Sequence, residues 1–497
     1  MKNRKMHQMK CLKKATRCGI FQWMSCTLAT LILSSCLTVG PEYVPPATKV
    51  PTAWHSELMS GLTEKVAVPE SLAKWWSTLN DPVLSDLMEK AVANNPDIGQ
   101  ARARIREERA RRNISKAGLF PAVDASGSFK RSRGSEETGS GKESDFYSAG
   151  FDASWELDIF GGTGRSLEAS TAELQASEEN LRDVLVSLLA EVALNYTEVR
   201  TFQTRIDAAE KNLAVQDQAH QMAQSRYAAG LTGEIAVQQA KYNLENTRSQ
   251  IPALRVSLEE AKNRIAVLLG ENPGSVHETL MEHKPVPACS LEIAVGVPAD
   301  VLRRRPDIRR AERKLAAQTA RIGAATADLY PKLSLTGSIG FESLTLDRLL
   351  LSGSRSYGFG PRVTWPVFKA GSIRSNIEVQ SALQEQLLNQ YESAVLKALE
   401  EVENQLTAYV EEQNRKQSLS EARQAAIWAV DLAQNQYKAG LTDFTGVLDA
   451  QRSLLSFEDN LIQCEGNITS SLVRLYKALG GEWTSLAPID INQGSNK

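Results

Sequence analysis

The sequence predicts an α+β membrane protein: short amphipathic β-strands that span a membrane, continued by very long α-helices outside it. Three observations carry this reading. Two pairs of segments alternate strictly between apolar and polar residues, two stretches of about 66 residues lack proline and interior glycine, and the chain matches itself at an offset of 210 residues. Four strands cannot enclose a barrel, and an open strand edge is not tolerated in lipid. Spanning strands therefore require several copies of the chain around a shared pore.

The N-terminus comes first. Residues 1–17 hold Lys2, Arg4, Lys5, Lys10, Lys13, Lys14 and Arg17 and no acidic residue; an uncharged run follows from Cys18 to Leu33, then Leu33-Ser34-Ser35-Cys36. A basic segment, a short apolar run and small residues at a cleavage point describe a secretory signal over 1–35, and LSSC resembles a lipobox in which Cys36 carries lipid. A permanent anchor and a simple signal with an incidental cysteine are the alternatives. The polar Gln22, Ser25, Thr27 and Thr30 weigh against the anchor.

Removing the leader changes the balance. The whole chain has 57 basic and 59 acidic residues; without residues 1–35 it keeps 50 basic ones and a charge of −9. An acidic chain is a poor partner for nucleic acid. Beyond Cys36 only Cys289 and Cys464 remain, too few and too far apart for a disulfide framework or a zinc site.

At the 210-residue offset, Asn95-Pro96-Asp97-Ile98 meets Arg305-Pro306-Asp307-Ile308, Leu119-Phe120-Pro121 meets Leu329-Tyr330-Pro331, and Trp155 meets Trp365. Tyr227-Ala228-Ala229-Gly230-Leu231-Thr232 meets Tyr437-Lys438-Ala439-Gly440-Leu441-Thr442, and the offset holds for about 175 residues apart from an expected slip near 158–190. So long a period marks a duplicated subdomain rather than a solenoid. The expected organisation is a leader (1–35), a lipidated tail (36–80), a first repeat (81–270, hairpin 122–159), a linker (271–300), a second repeat (301–480, hairpin 332–367) and a C-terminal tail (481–497).

Each hairpin shows the alternation. Over 145–159, Tyr147, Ala149, Phe151, Ala153, Trp155, Leu157 and Ile159 interleave with Ser148, Gly150, Asp152, Ser154, Glu156 and Asp158. Val123, Ala125 and Phe129 repeat it, as do Leu333, Leu335, Ile339 and Phe341, then Tyr357, Phe359, Val363, Trp365 and Val367. Period two with one polar face marks half-exposed strands, and segments near ten residues with aromatics toward the ends suit a transmembrane barrel. A soluble sheet lying over a core is the competing reading. Of the two hairpin loops, 132–144 is polar and Gly/Ser-rich, whereas 343–355 carries Leu344, Leu346, Leu349, Leu350 and Leu351, which the alternation does not explain.

After each hairpin a helix is expected from about Gly164 to Ala229 and from Ser372 to Ala439, near 100 Å long at about 1.5 Å per residue. Leu185, Val192, Val199, Ile206 and Leu213 recur every seven residues beside a second seam of Leu181, Leu188 and Phe202; Leu388, Val395, Val402 and Tyr409 do the same beside Leu399 and Leu406. Two seams mean neighbours on two sides, where a two-stranded rod needs one. Gly230 and Gly440 supply the left-handed residue that ends each helix, and return helices follow over 234–270 and 443–479.

Together with LSSC and the duplication, several motifs resemble the TolC-like outer-membrane factors, specifically the NodT-type efflux outer-membrane lipoproteins. They are Val39-Gly40-Pro41-Glu42-Tyr43, Trp75-Trp76 before Asp81-Pro82, Arg304-Arg305-Pro306-Asp307-Ile308 and Leu448-Asp449-Ala450-Gln451-Arg452. The resemblance implies a homotrimer whose four strands per chain close a twelve-stranded barrel in the outer membrane. It also implies an α-helical barrel across the periplasm, with the termini and 271–300 in an equatorial belt. Such a protein is a passive exit duct for small molecules such as drugs, solvents or metal ions, served by a periplasmic adaptor and an inner-membrane pump. It needs no cofactor.

The same resemblance makes Gly230, Leu231, Gly440 and Leu441 adaptor-docking candidates, with plain helix capping as the competing role. It makes Asp449 a gate aspartate, whose carboxylates from several chains would ring the entrance. Thr445 stands where relatives often carry a bulky apolar residue and Gly446 where some carry a second aspartate, so the seal is expected to be loose; Gln239 is the first-copy counterpart of Asp449. A solvated helix residue is the plain alternative for Asp449. A structural coiled-coil lipoprotein and a porin without a pump are the other classes, although neither calls for both hairpins and long helices.

Enzyme readings are weak. Gly161-Gly162-Thr163-Gly164-Arg165-Ser166 looks superficially like a phosphate loop but lacks the Gly-Lys-Ser/Thr ending. His55, His277 and His283 form no metal or nucleophile spacing, so no catalytic or metal residue is expected.

Overall fold

The computed structural model describes residues 38–47, 50–59, 61–63, 75–139, 141–287 and 293–481. The leader, Cys36, Cys289 and the tail from 482 lie outside the described residues.

In chain order the elements are β1 (Leu62–Thr63), a 3₁₀ turn (Trp75–Leu79), α1 (Pro82–Asn94), α2 (Pro96–Ala117), β2 (Ala122–Arg133), β3 (Glu143–Leu157), α3 (Gly162–Ala228) and α4 (Glu234–Leu268). Then come β4 (Ile293–Ala294), α5 (Pro298–Arg304), α6 (Pro306–Ala327), β5 (Lys332–Ser343), β6 (Arg355–Thr364), α7 (Ser372–Lys438) and α8 (Phe444–Ala478). The helices α2 and α6, α3 and α7, and α4 and α8 each begin and end 210 residues apart. No slip separates α3 from α7, so the mismatch at 158–190 is sequence divergence within one register and not an insertion.

The chain forms two compact units that cut across the repeats, each drawing on both. The first combines the described residues up to Pro45 with Glu107–Leu174 and Arg313–Leu388. It holds one antiparallel sheet ordered β2-β3-β5-β6. The two hairpins meet at the β3–β5 seam, where Gly150 lies opposite Gly340. A Cβ on either glycine would come within 2.7 Å of the other strand's carbonyl, so the seam closes only on hydrogen side chains. Each hairpin is tied to its preceding helix in the same way. Trp155 Nε1 donates to the Leu119 carbonyl at 3.0 Å and Trp365 Nε1 to the Leu329 carbonyl at 3.1 Å. The Val39–Tyr43 motif packs here too. Gly40, at φ +91°, lies so close to Gly323 that a Cβ would sit 2.4 Å from its Cα, and Tyr43 covers Ala172, Ala316 and Ala317.

The second unit comprises Pro46–Arg106, Gln175–Glu312 and the described residues from Asn389 onward. Its core is helical, and the heptad positions point into it. Leu185, Val192, Val199 and Ile206 are buried, as are Leu181 and Leu188 of the second seam, Val395, Val402, Tyr409 and Leu406. Leu213, Phe202 and Leu399 are only half-buried, as is Leu388, the last residue of the first unit. Trp75 and Trp76 are buried, and Trp75 stacks on Tyr476 with ring centroids 5.2 Å apart. Asp81 caps α1 by accepting from Val83 N at 2.9 Å, with Pro82 in the first turn where no N–H is needed.

One of the buried positions at which the repeats differ closes the end of a return helix. Asn95 donates Nδ2 to the Leu268 carbonyl at 2.9 Å, closing the end of α4. Its counterpart Arg305 reaches the matching Ala478 carbonyl at 3.0 Å and pairs with Asp307 and Glu401, each at 2.8 Å.

Candidate functional site

Both faces of the four-stranded sheet are open. On the apolar face Phe151, Ile339, Tyr357 and Phe359 are 58%, 66%, 80% and 86% exposed. A soluble sheet over a core would bury that face, and among the described residues nothing covers it. The opposite face carries Asp124, Ser126, Ser128, Ser148, Asp152, Thr336 and Ser338, and Ser126 donates to Asp152 at 2.8 Å. One face therefore suits hydrocarbon and the other suits water. The outer strands β2 and β6 each keep an unpaired edge. No helix among the described residues is long and apolar enough to cross a membrane.

The helical hairpins turn at Gly230 (φ +72°) and Gly440 (φ +75°), and no atom stands within 4 Å of an added Cβ at either. The sequence of each turn closes its helix: Leu231 N donates to the Arg226 carbonyl at 2.8 Å and Leu441 N to the Gln436 carbonyl at 2.9 Å. The side chains of Leu231 and Leu441 then project bare, 67% and 79% exposed. Behind the turns, Ala219, Ala223, Ala236 and Ala240 of the first copy pack with Tyr437, Phe444, Val447 and Leu448 of the second. The two turns thus share one core.

On α8 the gate candidates form an exposed stripe: Thr445 and Asp449 lie one turn apart, both exposed, while Val447, Leu448 and Gln451 are buried. Asp449 pairs with Arg452 at 3.4 Å, and Arg452 also donates to the Tyr242 hydroxyl and to Asn243 Oδ1 of α4, both at 3.2 Å. Gly446 lies in the first turn of α8, where its N–H is accepted by Asp443 Oδ1 at 3.3 Å. The first-copy residue Gln239 brings no carboxylate to this stripe.

Sequence reading missed a buried polar cluster on α3. Arg200 is fully buried and donates to the Tyr196 hydroxyl at 2.8 Å, to Gln203 Oε1 at 2.8 Å and to the Glu282 carbonyl at 2.7 Å. Gln203 donates to the Leu280 carbonyl at 2.7 Å, and Tyr196 donates to Asp81. Burial and the bond to Asp81 hold the Tyr196 hydroxyl far above the ordinary tyrosine range. The cluster pins 280–282 and the start of α1 to one long helix. Nearby, burial pushes the Cys464 thiol up to about 12, so it stays protonated and donates to the Glu412 carbonyl at 3.2 Å.

The glycine run before α3 is no phosphate loop. The Asp158 carboxylate already accepts Thr163 N at 3.0 Å and Gly164 N at 2.6 Å, so the amides an anion would use are taken. His277 and His283 lie beside Glu259 and Asp207, and no group of three metal-ligating side chains occurs among the described residues.

The profile of the outer membrane efflux protein family matches residues 87–271 and 297–481, again at the 210-residue offset. Nodulation protein T of Rhizobium leguminosarum bv. trifolii is 30% identical over 92% of this chain and 97% of its own length. The solvent efflux pump outer membrane protein SrpC of Pseudomonas putida is 32% identical over the same shares of the two chains, 92% and 97%. Among solved structures, the outer-membrane channel OprN superposes with a TM-score of 0.85 at 36% identity, covering 90% of this chain and 99% of that one. CusC gives a TM-score of 0.79 at 27% identity over 89% and 99%.

Proposed function

The chain belongs to the outer membrane efflux protein family, and from that membership we propose how it builds its exit duct: three copies pool their sheets into one twelve-stranded barrel, continued by a barrel of the long helices. It is an outer-membrane efflux protein, and the observation that carries the trimeric reading is the bare apolar face of a sheet with two open edges. In lipid such edges must be paired, and pairing β6 of one copy with β2 of the next is antiparallel throughout. Unpartnered apolar side chains on α7 support association as well: Leu396, Trp428 and Leu432 are all exposed in the single chain.

The duplicated subdomain, 81–270 and 301–480, supplies a hairpin and a helical pair per copy, with 271–300 as the linker between them. Cys36 attaches the chain to lipid. The exposed turns Gly230-Leu231 and Gly440-Leu441 dock a periplasmic adaptor that links the duct to an inner-membrane pump, and the cargo is small molecules of the solvent and drug classes. The duct provides passage and no chemistry.

At the entrance, Asp449 from each copy forms an anionic ring, with Thr445 one turn nearer the turn. Asp449→Ala is expected to raise the conductance of purified channels in planar bilayers and to make cells leakier to large antibiotics. Unchanged conductance removes the gate role from Asp449. Pull-down of the adaptor by the wild-type duct, lost in Leu441→Asp, tests the docking role. Cys36→Ser is expected to abolish palmitate labelling, and labelling at the wild-type level overturns the lipid attachment.

A further inference from the structure

The two hairpin tips related by the duplication have diverged in opposite directions. Both lie at the same end of the sheet, because Tyr147 of β3 pairs with Ser343 of β5, and this is the end away from the helices that lead into and out of the strands. The first tip, 134–142, has no large apolar residue, and the arginines that precede it on β2 are engaged within the hairpin. Arg131 donates to both Asp145 oxygens at 2.6 and 2.8 Å, and Arg133 donates to the Gly141 carbonyl at 2.9 Å and to Glu136 at 3.2 Å. This tip is built to be solvated.

The second tip is the reverse. Leu344, Leu346, Leu350 and Leu351 are 66%, 65%, 77% and 56% exposed on a loop of defined shape, folded by two 3₁₀ turns and by the bond from Ser354 Oγ to the Arg348 carbonyl at 2.7 Å. Neither Arg348 nor Arg355 makes a side-chain hydrogen bond or ion pair with another described residue. Arg355 pairs with Phe341 and so stands on the apolar face, one position beyond Tyr357 and Phe359 on that same face. Apolar side chains and free guanidinium groups at the margin of an apolar band are the composition of a segment seated at a lipid headgroup boundary.

We propose that the 344–355 tip rests in the headgroup region of the outer leaflet, with its leucines against acyl chains and Arg348 and Arg355 on lipid phosphates. This rests on the reading that the sheet spans the outer membrane. It commits to lipid as the occupant because the tip continues the apolar face of β5 and β6 and because its two cations lack protein partners. A hydrophobic plug inside the lumen and a neighbouring copy are the competing occupants.

The test uses the full chain with Cys289 and Cys464 changed to serine and an environment-sensitive fluorophore on Leu350→Cys or, separately, on Phe359→Cys. Each is reconstituted in vesicles of phosphatidylcholine with or without phosphatidylglycerol. Both labels are expected to be quenched by nitroxide lipids, the Leu350 label more by headgroup nitroxides than by deep ones. Headgroup nitroxide on phosphatidylglycerol should outperform that on phosphatidylcholine, and the preference should fall roughly five-fold for each of Arg348→Gln and Arg355→Gln. If the Leu350 label answers to aqueous iodide alone while the Phe359 label answers to lipid, the tip faces water and the proposal fails. If the Leu350 label is shielded from both quenchers, a neighbouring copy covers it and the proposal also fails. If neither label senses lipid, the membrane-spanning reading falls with it. Lipid quenching with no preference for phosphatidylglycerol overturns the role of the arginines.

Discussion

At the scale of single residues, the site most exposed to test is Arg305. Its guanidinium is buried and is shared among the Ala478 carbonyl, Asp307 and Glu401. Removing one partner of a fully buried pair costs about 3–5 kcal/mol; because Glu401 is half-exposed, about 2–3 kcal/mol is expected for Arg305→Gln. Burial alone would raise the Asp307 carboxyl, but the bonds and charge of Arg305 and the amide of Ile308 hold it below its ordinary value of 3.8. A depressed carboxylate adds stability that is complete above the unfolded value and lost as pH falls through the folded one. Thermal melts of the detergent-solubilised wild type should therefore fall in midpoint as pH drops below about 4, and this part of the acid dependence should be missing in Arg305→Gln. Equal acid slopes in the two proteins would remove Asp307 from the account. The motif itself was legible in the sequence, but its chemistry was not: Glu401 lies 96 residues from Arg305 in the chain. The Tyr196–Arg200 cluster was hidden for the same reason. Its partners Asp81 and Glu282 lie 115 and 82 residues away, and on the helix Arg200 reads as an outward cation beside the Val199 seam.

At the scale of elements, most of the fold could be read in advance, because period seven and period two are local signals that need no partner to be seen. Most seam positions of α3 and α7 are buried, and the alternation in β2, β3, β5 and β6 sorts apolar and polar side chains onto opposite faces of the sheet. What periodicity could not supply was the role of a glycine. Gly230 and Gly440 sit at positive φ in open space, whereas Gly150 and Gly340 sit at ordinary φ where two strands touch, and no pattern in sequence separates the two cases. The turns allow capping and docking to be separated. Gly440→Ala places a Cβ in the left-handed region and should cost about 1 kcal/mol of stability, visible as a lower melting temperature. Leu441→Asp alters a side chain already in solvent, so the melting temperature should hold while adaptor pull-down is lost. If Leu441→Asp keeps the pull-down, the turn serves only to cap its helix.

At the scale of the whole molecule, the decisive property is that the described chain is unfinished by itself. Its apolar sheet face is bare and both sheet edges lack partners. Burial among the described residues cannot explain why Phe359 and Val363 are apolar, since both are exposed. Lipid accounts for the face, but lipid cannot satisfy the backbone groups of β2 and β6. Only another strand can do so, and each copy offers one free edge of either kind. Rings are the closed solution, because a head-to-tail contact that repeats by the same rotation must return to its start or grow without limit. Cysteines placed on the two edges report this contact directly. In a chain with Cys289 and Cys464 changed to serine, Val123→Cys on β2 combined with a scan of Val363→Cys, Pro361→Cys and Phe359→Cys on β6 keeps every pair on the apolar face. At least one pair should form disulfides under mild oxidation of intact membranes. The products on non-reducing gels should be dimers and trimers, with nothing larger, and each single-cysteine chain should stay monomeric there. A ladder continuing beyond the trimer would mean a larger ring or an open assembly. Oxidation within single chains would mean that β2 and β6 close on each other, and the requirement for partner copies would be gone.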